Sequence, residues 1–198
     1  VAGMLALPSA QSLPGGVKAP GGCTCHAITP DDEVVVSLEG LPESYNYSES
    51  YELSLSFEGG PSQPGNINQG GFYLWVSEGV LSSSEATVQV WPNGNEAGHT
   101  EAGNDQTSWT ITWTAPATDR NVEFELYANS VNGNAGGGAG TSGDMWNLKA
   151  VTLGGPIEVL ESADPFVVLA VLILVSLTLL STTLVYVFYR RDPDAFDW

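Results

Sequence analysis

Apolar and polar residues alternate strictly through the middle of the chain. In YELSLSF, Tyr51, Leu53, Leu55 and Phe57 fall on one face and Glu52, Ser54 and Ser56 on the other. SWTITWTAP sets Trp109, Ile111 and Trp113 against Thr110, Thr112 and Thr114. NVEFELYAN sets Val122, Phe124 and Leu126 against Glu123, Glu125 and Tyr127. A period of two predicts strands with one buried face. EVVVSLEG, GGFYLWVS, EATVQVW and MWNLKAVTL are further candidates. About seven strands between residues 33 and 154, parted by Gly, Pro, Asn and Ser turns, predict an all-β, immunoglobulin-like sandwich. Its Trp and Phe residues read as core, each worth roughly 1.5–3 kcal/mol on burial. Two long stretches break the pattern: PNGNEAGHTEAGNDQ at 92–106 and NSVNGNAGGGAGTSGD at 129–144. They read as irregular Gly-rich loops, either solvent-exposed or laid over a flat cofactor.

The pattern changes completely near the end. PFVVLAVLILVSLTLLSTTLVYVFY, residues 165–189, contains no charge. At ~1.5 Å per residue its 24 residues from Phe166 to Tyr189 span roughly 36 Å, enough for a ~30 Å hydrocarbon core. Arg190 and Arg191 follow at once, so residues 190–198 are expected to be a cytoplasmic tail, with everything before residue 165 outside. This predicts a single-pass protein of the cell membrane. Ser176, Ser181, Thr182 and Thr183 offer hydroxyls to a neighbouring helix in a membrane complex.

At the other end, VAGMLALPSAQS reads either as the apolar remnant of a signal peptide or as a segment that packs on a membrane or partner. A Gly/Pro-rich linker, SLPGGVKAPGG, follows. The expected organisation is an N-terminal segment and linker (1–22), the β-domain with a cysteine motif (23–155), the helix (165–189) and the tail.

Charge narrows the partners. With 23 acidic residues against 5 basic ones, the net charge is −18. Nucleic acid is excluded as a partner, because phosphate binding needs clustered Lys and Arg. Scattered acid with few lysines suits a chain working in salt, where self-repulsion is screened. Asn46-Tyr47-Ser48 forms a glycosylation sequon on the expected outer side. No catalytic triad, phosphate loop or paired-carboxylate site stands out.

Candidate chemistry concentrates in GGCTCHA at 21–27. It holds both cysteines, Cys23 and Cys25, and His26, one of only two histidines. A Cys23–Cys25 disulfide would close almost no chain and would be strained. Free thiols oxidise outside the membrane. Covalent haem c would occupy both: two thioethers to Cys23 and Cys25, with the adjacent His26 as an iron ligand. The usual spacing is C-x-x-C-H; here it is C-x-C-H, which strains the first attachment. His99 is the only other imidazole for the second axial position, with Met4 and Met145 as alternatives. A metal ion held by Cys23, Cys25, His26 and His99 is the competing reading. Copper suits that set, whereas the spacing is poor for tetrahedral zinc.

The chain resembles the extracellular choice-of-anchor β-sandwich domains related to reelin-type modules. The resemblance is carried by GGCTCHA at 21–27, GHTEAG at 98–103, SWTITWTAP at 108–116 and the 129–144 loop, followed by a C-terminal anchor. It implies a haem-type cysteine motif ahead of the sandwich, with His99 as the second ligand. The missing residue between the cysteines departs from that pattern. The expectation is therefore a membrane-anchored c-type cytochrome, an electron carrier rather than an enzyme. Its partner would be a larger membrane-bound redox complex or a basic soluble redox protein. A copper-binding or copper-delivery module and a cofactor-free surface domain are the rivals.

Overall fold

The computed structural model describes residues 16, 18–61, 67–132, 143–156 and 165–191. The chain divides into two units, Val1–Pro156 and Ile157–Trp198.

The first unit is a sandwich of two antiparallel sheets. Its strands are β1 (Val34–Glu39), β2 (Ser50–Gly59), β3 (Gly70–Val76), β4 (Val80–Ser82), β5 (Val88–Val90), β6 (Glu96–His99), β7 (Ser108–Thr114), β8 (Val122–Ser130) and β9 (Met145–Leu153). One sheet runs β1-β2-β7-β4 and the other β5-β6-β3-β8-β9. Both are antiparallel throughout.

The alternation explains the core. Leu53, Leu55 and Phe57 of β2 and Trp109, Ile111 and Trp113 of β7 turn inward from one sheet. Phe72, Leu74 and Val76 of β3 and Val122, Phe124 and Leu126 of β8 meet them from the other. Trp113 packs edge-on to Tyr45 and Phe124 with ring centroids 5.6 and 5.0 Å away. Its indole N–H donates to Glu78 O at 3.1 Å, so the polar atom of this large apolar group is satisfied.

Among the described residues the sandwich has nine strands, two more than the seven segments whose alternation stood out. Val80–Ser82 is too short for its alternation to stand out, and it pairs with β7. Glu96–His99 lies inside the 92–106 segment expected to be irregular. There Ala97 packs in the core and a short 3-10 turn, Glu101–Asp105, follows. The Gly-rich composition concealed a strand because Gly98 leaves its outer face to another ring. A Cβ there would approach Trp91 at 2.9 Å. Only the edges of the 129–144 segment are described: β8 runs on to Ser130 and β9 starts at Met145. Residues 133–142 lie outside the described residues, as do the proposed signal remnant, Met4 and most of the tail.

One face departs from simple one-sided burial. The C-terminal half of β8 and nearly all of β3 are buried on both faces. The outer cover is the segment before β1: Ala19, Cys23 and Ala27 pack on Tyr73, Tyr127 and Trp146. Trp146 Nε1 donates to Ala27 O at 2.8 Å, and Asp31 N–H donates to Trp146 O at 2.8 Å. Residues 18–31 thus form a strap across the five-stranded sheet.

The second unit contains α1, Pro165–Arg191. Pro165 opens it, where the missing N–H costs no helical bond, and Arg190 and Arg191 close it. Leu169–Phe188 is long and apolar enough to cross a membrane. The hydroxyls of Ser176, Thr178, Ser181, Thr182 and Thr183 all donate to carbonyls one turn back, as at Thr182 to Leu179 O (2.9 Å). Each is satisfied within its own helix and needs no neighbour.

Candidate functional site

The motif itself folds as one tight turn. His26 N–H donates to Cys23 O at 2.9 Å, an i to i+3 closure. The short C-x-C-H spacing thus places Cys23 and His26 at the two ends of a single β-turn. Gly22 just before it has φ +120°, and a Cβ there would collide with the Trp146 indole. Glycine is required on both counts.

The two thiols have different surroundings. Cys23 packs into the Tyr73–Tyr127–Trp146 cluster, and burial, then the neighbouring Cys25, pushes its thiol up to about 12. Cys25 is exposed, and the two stand as separate thiols.

The histidines come from opposite ends of the site. His26 is carried by the strap, and its Nδ1 lies 3.0 Å from Asp144 Oδ2, just before β9. A carboxylate accepts, so Nδ1 carries a proton, and in the neutral ring Nε2 holds the lone pair. His99 ends β6. Its Nδ1 meets the Phe72 backbone on β3, 3.1 Å from the N–H and 3.2 Å from the carbonyl oxygen. The side chain replaces the backbone rung that would follow Tyr73–Gly98. Burial holds His99 below its ordinary 6.5, and a positive charge on the His26 ring would push it the same way. The two imidazoles therefore lie within electrostatic reach of each other.

The donor set fits an iron porphyrin in kind. Two imidazoles are each anchored through Nδ1, the arrangement that directs Nε2 at a metal. For His99 this holds only in the tautomer that donates to Phe72 O; when Nδ1 instead accepts the Phe72 N–H, the proton sits on Nε2. One exposed and one seated thiol adjoin the first imidazole. Met145, an alternative ligand, instead packs against the sandwich core. Among the described residues, no three His, Cys, Asp or Glu side chains converge as a metal-ion group. Asn46 is exposed on a turn, with its side-chain amide donating to Glu49.

Asp144, Trp146 and Gly71 are site residues that pattern reading alone did not find. Gly71 leaves the space the His99 ring fills. Only Asp144 had an advance signal, the Gly-rich 129–144 stretch that ends on it.

No protein-family model and no curated protein matches the chain. Among solved structures it is similar to the human F-spondin reeler domain (fragment 1). Identity is 16%, coverage 68% of this chain and 96% of that one, and TM-score 0.43. It is also similar to the Reelin-N domain of F-spondin, at 17% identity, 64% and 88% coverage and TM-score 0.41. The fold is defined by the strand order and register of the chain itself.

Proposed function

We propose that this protein is a membrane-anchored, extracytoplasmic one-electron carrier holding one haem c. Cys25 and Cys23 bind the porphyrin, and His26 and His99 are the axial ligands. The group supplies a reversible ferric/ferrous couple. With imidazole from His26 and His99 as its two ligands the group would have no position for substrate, so the role would be transfer and not catalysis.

One observation supports this reading above the others. The chain's only two histidines, far apart in sequence, come within electrostatic reach of each other, each with its Nδ1 engaged, and both cysteines sit on the turn that carries His26. The chain's own residues then divide the work. The strap carries Cys23, Cys25 and His26 as one turn, and Trp146 pins that strap to the sheet. Phe72 orients His99. Cys25, the outward thiol, is the attachment on which the reading depends; Cys23 sits deeper, against the Tyr73–Tyr127–Trp146 cluster. The α1 helix anchors the domain, with Arg190 and Arg191 on the cytoplasmic side. The acidic surface steers the domain toward a basic redox partner, more strongly at low salt.

A visible spectrum tests this directly. The full-length chain, produced in a host that attaches haem c, should show a Soret band that survives acid–acetone extraction. His99→Ala should turn its low-spin spectrum high-spin. A weak band that develops only with added copper would replace this reading with the copper module. A featureless spectrum would leave a cofactor-free anchored domain.

A further inference from the structure

The two histidines are held by unlike partners. His99 faces a neutral peptide, the Phe72 backbone. His26 faces a carboxylate. Asp144 divides its two oxygens: Oδ2 takes the His26 Nδ1 proton and Oδ1 accepts the Asn132 N–H, both at 3.0 Å. The acid side chain is 9% exposed and the ring 33%. The acid is therefore seated in the fold while the imidazole is reachable. Because a backbone N–H fixes the rotation of the carboxylate, the direction of Oδ2 is set by the fold and not by the ring it serves.

We propose that Asp144 is the positioning residue for His26. It keeps the proton on Nδ1, leaves Nε2 as the lone-pair nitrogen, and makes that nitrogen a stronger donor to a ferric than to a ferrous centre. The first part concerns the polypeptide alone; the second rests on the electron-carrier reading. A peptide carbonyl would also orient the ring. A full negative charge on the far nitrogen does more, because it opposes the positive charge gathered on a ligating imidazole. The asymmetry of the two histidines therefore puts the control of redox poise on the strap side of the site.

The test uses full-length protein in detergent and two substitutions. Asp144→Asn keeps an oxygen acceptor and removes the charge. Asp144→Ala removes both. In haem-free protein, nitrogen NMR of the histidines should find the His26 proton on Nδ1 in the wild type and in Asp144→Asn. In Asp144→Ala it should be shared between the two nitrogens. In haem-loaded protein, Asp144→Asn should weaken the ferric preference about tenfold, the lower end for a lost partner of a metal ligand. That converts to a rise of about 59 mV for one electron. Far-UV circular dichroism of both variants checks that the sandwich is retained. An unchanged tautomer in a folded Asp144→Ala overturns the positioning role. An unchanged potential in Asp144→Asn overturns the tuning role. A wild type that carries no haem overturns the electron-carrier reading and the tuning role with it, while the tautomer measurement still decides the positioning role.

Discussion

Gly71 of β3 and His99 of β6 occupy one space: the ring lies where a side chain on residue 71 would be, and a Cβ there would overlap its Cε1. The backbone of Gly71 is not in the left-handed region, so the demand for glycine is steric alone. Gly71→Ala should therefore expel the ring from Phe72 while leaving the strand intact. Overpacking costs roughly 1–3 kcal/mol. Because the half-buried ring can swing aside, the loss in thermal or denaturant unfolding should lie near the lower figure. The haem spectrum should turn high-spin, as for His99→Ala. A low-spin Gly71→Ala protein would separate His99 from the iron.

Trp146→Phe tests the strap. The substitution keeps an aromatic ring against Tyr127 and removes the N–H that serves Ala27 O. An unpaired carbonyl in that position costs about 1–3 kcal/mol. Hydrogen exchange and limited proteolysis should quicken within residues 18–31 and stay unchanged in β2 and β7. Uniform acceleration through the whole sandwich would mean that the strap is not a separate unit.

The thiols should differ in reactivity. In haem-free protein at pH 8, a thiol near pKa 12 is ionised to only about 1 part in 10,000. Iodoacetamide should label Cys25 first, with Cys23 at least about tenfold slower until denaturant is added. The folded form holds the Cys23 proton more tightly than a thiol's ordinary value of 9.0. Its contribution to stability is thus present below about pH 9 and lost as pH rises toward 12. Equal labelling, read by mass spectrometry, would place Cys23 outside the aromatic cluster.

Acid should loosen the strap at its other end. Lys18 lies over the Trp91 ring and pairs with Glu96, which also accepts from Tyr73 at 2.7 Å. Hydrogen bonds from Lys18, then Tyr73, hold the Glu96 carboxyl below 4.5. A depressed carboxyl stabilises the fold above its unfolded pKa, and that contribution is lost as pH falls below about 4.5. Glu96→Gln should lower stability at pH 7 and flatten its dependence on pH between about 5 and 3. Lys18 is partly exposed, so salt should shrink the difference. An identical acid profile for variant and wild type would remove this anchor.

Much of the sandwich was legible because its strands obey one rule. A strand with one wet face must alternate, and β2, β7 and the first half of β8 do so residue by residue. β4 was hidden by its three-residue length, and β6 by glycines that composition assigns to loops. Tyr73, Tyr127 and Trp146 sit on the face that alternation assigns to solvent. They are buried because a distant segment covers them, which no local period records. At the site, Cys23, Cys25, His26 and His99 could be named from residue type. Asp144 could not, since one acid among 23 carries no mark until a fold puts it beside an imidazole.

By itself the sequence determined two antiparallel layers, a helix with the length and apolarity of a membrane span, and which side chains are chemically able to hold a redox group. Those properties follow from local periodicity and residue chemistry, which act over a few residues. The tertiary structure alone decided that His26 and His99 come within electrostatic reach of each other and that Cys23 is seated while Cys25 is exposed. It also set an acid behind one imidazole and a peptide behind the other. The reason is that each of these depends on chain segments brought together by burying the strap on the sheet, a cooperative packing choice that no short stretch of sequence encodes.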